Sequence, residues 1–154
     1  MSLTQAPTAR TEMLIRRPVS EVFEAFVDPA VTSRFWFSRG SARLAAGKSV
    51  TWHWDDYGAV AHVTIRALEP NRRILIEWPT PVEWRFTPWG PDATQVVITA
   101  SGFTGTDDEI VAHAIDSMGG FSLLLAGCKA LLERGIELNL VADRSPDHHV
   151  KSRG

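Results

Sequence analysis

A single cysteine, Cys128, leaves this 154-residue chain without an internal disulfide, which fits a reducing compartment. Basic runs are missing as well. Arg16-Arg17 and Arg72-Arg73 are isolated pairs and the formal net charge is −2, so no basic face is offered to nucleic acid. No stretch approaches ~18 consecutive apolar residues, so no membrane span is expected. The first residues lack a basic region followed by an apolar run, and nothing there reads as a signal peptide. Cytoplasmic localisation is the resulting expectation. Catalytic signatures are also lacking: no Gly-x-Ser-x-Gly elbow, no glycine-rich phosphate loop and no metal-ligand spacing of histidine and cysteine. Metals and other cofactors are therefore not expected.

Tryptophan, by contrast, is abundant, with six residues, and four of them fall in alternating stretches. Trp52 and Trp54 end Ser49–Trp54, Trp78 closes Arg73–Trp78, and Trp84 is the middle of Val82-Glu83-Trp84-Arg85-Phe86. Side chains two apart on a strand share a sheet face, so one face carries several indoles. Indole is large and its N–H needs a partner. Such a face is either a bulky core or the lining of a cavity for an apolar ligand.

The chain is long enough for one domain with a real core. Residues 1–10 are polar and expected to be a disordered arm, 11–135 the folded domain, and 136–154 a tail. A strand over 11–16 is followed by a short helix opened by Pro18, with Val19, Val22, Phe23 and Phe26 at helical spacing. Asp28-Pro29 starts a second, brief helix. Period two then predicts strands near 41–44, Ser49–Trp54, 59–68, Arg73–Trp78, 82–87 and 94–101, separated by glycine, proline, asparagine and aspartate. Short links imply an antiparallel meander. The inward set is Val50, Trp52 and Trp54, then Val63 and Ile65, Ile74, Ile76 and Trp78, Val82, Trp84 and Phe86, and finally Val96, Ile98 and Ala100.

A long helix over Asp107–Arg134 covers that face, with the stripe Val111, Ala114, Met118, Phe121, Leu125, Cys128 and Leu132. Thr106 to Glu109 supply a cap and negative charge, and Gly135 a stop. Gly119-Gly120 in mid-helix weakens it and marks a bend or a close backbone contact. Gly119, Leu123, Ala126 and Ala130 form a low-charge ridge on the far side. If covered, it is covered by the apolar start of the tail (Ile136, Leu138, Leu140, Val141) or by a second subunit in a homodimer.

This order of elements resembles the START-like (SRPBCC) helix-grip fold, and within it the bacterial relatives of the C-terminal domain of the Hsp90-ATPase activator. The resemblance covers about residues 11 to 135. It is carried by Pro18-Val19-Ser20-Glu21-Val22-Phe23 with Asp28-Pro29, by Glu69-Pro70-Asn71-Arg72-Arg73-Ile74 leading to Glu77-Trp78, by Ala93-Thr94-Gln95-Val96 running to Ser101-Gly102-Phe103, and by Gly120-Phe121 before Leu125 and Ala130-Leu131-Leu132-Glu133. It implies an α+β helix-grip (START/Bet v 1-like) fold: a curved antiparallel sheet of about seven strands around a long C-terminal helix, with two short helices after strand 1. It also implies a cavity for lipids, polyketides or other apolar molecules, and in a minority of members cyclisation or dehydration. Relatives often carry a polar residue where this chain has Ala100, and tryptophan where it has Phe121. The chaperone activator has a further N-terminal domain, for which this chain has no room, so direct action on Hsp90 is not expected.

The cavity lining expected from these readings is Trp36, Trp52, Trp54, Trp78, Trp84, Phe86, Ala100, His113, Met118, Phe121 and Leu125. Trp36 follows a short helix and is a candidate lid or an edge-packing residue. His53 and His62 fall on the outer face as solvated side chains, and His148-His149 lies in the polar tail. Asp55-Asp56-Tyr57-Gly58 reads as a solvated turn, and Glu77, Glu83 and Arg85 as cross-strand charges. The leading function is binding of a small apolar or aromatic molecule. A cofactor-free polyketide cyclase or dehydratase, with His113 or Tyr57 as its polar group, is the alternative. A chaperone-associated interaction module, which needs a large exposed apolar patch, is the third.

Overall fold

A computed structural model describes residues 3–150. Seven strands form one sheet: β1 (Ala9–Ile15), β2 (Arg39–Gly40), β3 (Ser49–Trp54), β4 (Ala59–Glu69), β5 (Arg73–Trp78), β6 (Thr80–Pro88) and β7 (Thr94–Ala100). Their order is β1-β7-β6-β5-β4-β3-β2, with every neighbour antiparallel. The last six strands run as a meander, and β1 pairs with β7. A register shift between Ile65 and Ala67 interrupts the β4–β5 ladder. Such a bulge sharpens local twist and bending, which suits a sheet that must curve around a helix. The turn into β5 places Asn71 at φ 62°, a left-handed conformation that asparagine tolerates better than most side chains.

The alternation seen in the chain becomes a dry face and a wet face. Val63, Ile65, Ile76, Val96 and Ile98 are fully buried. On the other face Arg66 donates to Glu77 (2.9 Å), and Glu83 accepts from Arg73 (2.6 Å) and Arg85 (2.7 Å). His62 sits opposite Thr51, with Nδ1 3.2 Å from its hydroxyl, and His53 sits opposite Val60. The two histidines are therefore not direct cross-strand partners. Strand limits differ slightly from those expected. Ala9 and Arg10 belong to β1 rather than to a loose arm, because Ala9 pairs with Ala100. Only Arg39–Gly40 is strand where 41–44 was expected.

Helices α1 (Val19–Val27) and α2 (Pro29–Thr32) close one end of the curved sheet. Asp28 separates them, its carboxylate accepting from Ala30 N at 3.0 Å with Pro29 following at the first helical position. Buried Thr32 ties them together by donating to Ala25 O at 2.6 Å. The face of α1 that packs inward includes Phe23 and Phe26. Phe26 lies 6.2 Å from Trp84 and 5.8 Å from Phe86, ring centre to ring centre.

Helix α3 (Asp107–Arg134) begins with a reciprocal capping box between Thr106 and Glu109 and ends at Gly135, φ 66°. Three polar contacts fasten it to β1. The Thr11 and Ser122 hydroxyls are 2.7 Å apart, Lys129 Nζ donates to Leu14 O at 2.7 Å, and Glu133 accepts from Arg16 N at 2.8 Å. Its buried face differs in part from the expected stripe. Ala114, Phe121, Leu125 and Cys128 are buried, but Leu124 and Leu131 are buried too, while Met118 is 44 % exposed. Three residues at about 100° each put Met118 about 60° round from Phe121 on one side and Leu124 the same distance on the other. The sheet takes the Leu124 side.

Helix α3 contains an 18-residue window of mean hydropathy 1.4, so by length and composition it is apolar enough to cross a membrane. In the fold it is the core helix that the sheet grips. Phe121, Leu124, Leu125 and Cys128 join the buried core, while Ile115 and Met118 stay exposed.

Candidate functional site

Aromatic side chains fill the concave interior, and their arrangement divides it in two. Trp36 stands at the partition. Its ring centre lies 4.8 Å from Trp52, 5.8 Å from Trp54 and from Trp78, 6.0 Å from Trp84 and 6.4 Å from Phe121. On its inner side everything is close-packed. Phe37 stacks on Trp52 at 5.1 Å, and Phe23 meets Phe86 edge-on at 5.1 Å. A void of about 10 Å³ remains between Phe26, Trp36, Trp52 and Trp84, near the smallest space that holds one water, roughly 10–15 Å³. The Trp84 indole N–H is buried without a hydrogen-bond partner among the described residues.

On the outer side of Trp36 a cleft of about 540 Å³ opens. Trp54 and Trp78 form one wall, with rings parallel within 7° and centres 5.4 Å apart. Parallel indoles at that spacing form an offset stack, each ring covering part of the other's face. Ala61, Val82 and Ala100 supply the sheet side, Phe103 the loop after β7, and His113, Asp116, Ser117, Gly120, Phe121 and Leu123 the α3 side. The small side chain of Ala100, 2 % exposed, and the missing side chain of Gly120 leave room between the layers.

Of the residues expected to line the cavity, the cleft brings together Trp36, Trp54, Trp78, Ala100, His113 and Phe121. Trp52, Trp84, Phe86 and Leu125 lie elsewhere, in the core, and are at most 3 % exposed. Phe23 and Phe26 of α1 cover Trp84 and Phe86, and Trp36 and Phe37 cover Trp52. Met118 faces outward. Trp36 forms the inner wall of the cleft, not a lid. Its contacts with buried Trp52 and Trp84 hold it there. Val82, expected only as an inward residue, and Leu123, expected on the far ridge, also line the cleft, as do Phe103, Val141 and Arg144, whose local pattern does not signal which loop or tail reaches it.

The tail supplies part of the rim. Helix α4 (Leu140–Asp143) follows Asn139 at φ 56° and lies across the mouth. The Tyr57 hydroxyl is its anchor, 2.6 Å from Val141 O and 3.0 Å from Ala142 O. His149 Nε2 lies 2.6 Å from Ala142 O, and Val150 N donates to Asp56 O at 2.7 Å. Arg144 reaches α3, where its Nη2 donates to Asp116 Oδ1 at 3.0 Å. Gly119-Gly120 therefore marks a close contact, made by this guanidinium. Of the expected ridge, Gly119 is covered by Arg144 and Leu123 is half-buried against the cleft. Of the apolar start of the tail, Ile136 and Leu138 are 51 % and 45 % exposed, whereas Val141 packs against the core and lines the cleft with Leu123.

Candidate chemistry in the cleft is sparse. Tyr57 is committed to the tail. His113 is exposed and carries no hydrogen bond from its ring among the described residues. The carboxylates held below their usual range lie elsewhere. Burial pushes Glu83 and Glu133 upward, but hydrogen bonds from Arg73 and Arg85, and from Arg16 N and Lys129, outweigh it. Burial pushes the Cys128 thiol up, away from a reactive thiolate. No group of three or more histidine, cysteine, aspartate or glutamate side chains able to hold a metal occurs among the described residues.

With the sheet, the gripped helix and the cleft in place, comparison with known proteins decides the family. The model described as activator of Hsp90 ATPase homolog 1-like protein matches residues 16–133. The chain belongs to that family. Among solved structures, protein SSP2350 from Staphylococcus saprophyticus is 31 % identical with a TM-score of 0.76, over 86 % of this chain and 96 % of that one. DynU16, a putative protein in the dynemicin biosynthetic locus, is 23 % identical with a TM-score of 0.73, over 84 % of this chain and 48 % of that one. The Aha1 dimer from Colwellia psychrerythraea is 17 % identical with a TM-score of 0.71, over 84 % of this chain and 98 % of that one. These last two share the fold. A comparison with curated proteins finds no match. The matched residues stop before the tail, so Val141 and Arg144 lie outside the family match.

Proposed function

We propose that this protein binds a small apolar or aromatic molecule in the cleft between the sheet and α3, as a carrier, sequestering protein or sensor. The observation that carries the reading is the stacked Trp54–Trp78 pair bordering a space of about 540 Å³, within the range of roughly 300–1,000 Å³ usual for small-molecule sites. An aromatic wall of this kind favours flat, conjugated ligands, which stack on indole with little loss of their own freedom. A cytoplasmic protein working without cofactor or nucleic acid is the setting proposed for this activity.

Titration with a flat apolar probe such as anthracene-9-methanol tests the proposal. Tryptophan emission should be quenched saturably. Trp78→Ala should weaken binding at least tenfold, since it removes the more exposed ring of the stacked pair. Trp84→Ala, in the core, is a poor probe of the site because it disturbs packing first. Native mass spectrometry of freshly purified protein should show a retained small molecule. Quenching that rises linearly without saturation would remove the binding reading.

The cyclase or dehydratase reading has one observation in its favour: His113 lines the cleft next to Asp116 and Ser117. Conversion of a bound ligand that is lost in His113→Gln would favour it over simple binding.

A further inference from the structure

The cleft's polar equipment is unbalanced in one respect. Among its described lining residues only two carry a formal charge, Asp116 and Arg144. They pair with each other, yet unequally. The Asp116 carboxylate is 77 % exposed, whereas the Arg144 side chain is 36 % exposed. Arg144 spends only Nη2, on Asp116 Oδ1 at 3.0 Å and more weakly on Asp116 O at 3.4 Å. Its Nε and Nη1 donate to nothing among the described residues. A partly dehydrated guanidinium with idle donors beside an apolar cavity is an anion site that its present partner leaves incomplete.

The guanidinium is also held in place. It rests on the Gly119-Gly120 backbone, where a Cβ at Gly119 would come within 2.8 Å of Nη2 and one at Gly120 within 3.1 Å of Nη1. Two glycines side by side in a helix cost stability, and here they make the ledge that lets Arg144 lie flat at the cleft wall. Behind it, the Tyr57 hydroxyl ties down α4 and so limits retreat toward solvent.

We infer that the ligand has a flat apolar body with a single anionic head, a carboxylate in the first instance. The body lies along Trp54 and Trp78, and Arg144 binds the head at the mouth. This rests on the reading of the cleft as a ligand site and adds the ligand's chemical class. It also gives the tail a role. The segment that roofs the cleft brings the recognition group with it, so a chain lacking it would bind apolar molecules without selecting for charge. The head group displaces Asp116 from the guanidinium or shares it. Asp116 is exposed, so water compensates its carboxylate when the pair opens.

The test uses the full chain and two probes of matched shape, anthracene-9-carboxylate and neutral anthracene-9-methanol, followed by tryptophan quenching and calorimetry. The carboxylate should bind about tenfold more tightly, the scale of one charge-assisted hydrogen-bonded pair. Arg144→Gln should bring the carboxylate to the level of the alcohol and leave the alcohol unchanged. Asp116→Asn removes the competitor and should widen the preference. If Arg144→Gln shifts the alcohol as well, because the tail has moved, Asp116→Asn decides: a wider preference supports the inference and an unchanged one overturns it. Equal binding of the two probes by the unmodified protein overturns the charged-head inference and leaves the cleft reading standing. Failure of both probes to bind overturns the cleft reading, and this inference with it.

Discussion

Arg144 lies directly over Gly119, with Nη2 2.8 Å from the place a β-carbon would occupy. That contact makes Gly119→Ala a two-sided substitution. Alanine favours the helix by about 1 kcal/mol over glycine, but the methyl group must push the guanidinium aside. In an Arg144→Ala background the full helix gain should appear as roughly 1 kcal/mol of added stability. With Arg144 present the gain should be smaller, and Asp116 should lose its partner. Urea denaturation of the two single variants and the double variant gives the coupling directly. Additive effects would mean that Arg144 does not occupy the ledge in solution.

Tyr57 holds the tail through one hydroxyl set between Val141 O and Ala142 O. Tyr57→Phe removes that bond and leaves the ring. The loss, on the order of 1 kcal/mol, falls on the opening of residues 139–150 and not on global unfolding, because the sheet and α3 do not depend on the tail. Hydrogen exchange should quicken in α4 while β7 stays protected. Equal quickening throughout the chain would show that the tail is part of the core's cooperative unit.

Trp84 combines a fully packed ring with an unpaired buried N–H. Trp84→Ala should cost about 3–5 kcal/mol, the range for deleting a large buried aromatic side chain. Trp84→Phe should cost far less. It leaves a small cavity but relieves a desolvated donor, which by itself costs roughly 1–3 kcal/mol. Denaturation midpoints of the two variants separate the terms. A Trp84→Phe variant as unstable as Trp84→Ala would point to a water bonded to the indole in the adjoining void.

Glu83 offers a pH test. Burial acts to raise its pKa, but hydrogen bonds from Arg73 and Arg85 prevail and hold it below the usual carboxylate value. A depressed folded-state pKa stabilises the fold above the unfolded-state value of about 4.3. That contribution is lost as pH falls through the folded-state value. Glu83→Gln should therefore cost on the order of 1 kcal/mol near neutral pH, and the difference from the parent protein should shrink on acidification. A difference that stays constant down to strongly acidic pH would assign the effect to shape and not charge.

Much of the architecture was legible before any coordinates. Strands carry period two, and the dry set from Val50 to Ala100 is buried almost without exception, only Trp78 being half-open. The limits of α3 follow from local chemistry, a Thr106–Glu109 cap and a Gly135 stop. What periodicity could not resolve was the rotation of α3 about its own axis, since Met118 and Leu124 are equally close to the Phe121 direction and only the facing sheet chooses between them.

The candidate site divides along the same line. That indoles would share one face was determined by their spacing in the chain. Which of them border open space was decided by tertiary packing: Phe26 of α1 covers Trp84, Trp36 and Phe37 cover Trp52, and Trp54 and Trp78 are left at the cleft wall. The sequence marked Gly119-Gly120 as a place where another group comes close, because a helix gives up stability there. The identity of that group, Arg144, some 25 positions later in a polar tail, depends on a chain reversal held by Tyr57. Local pattern records what each residue does to its own turn of helix or strand. It carries no record of which distant segment arrives at the same point in space.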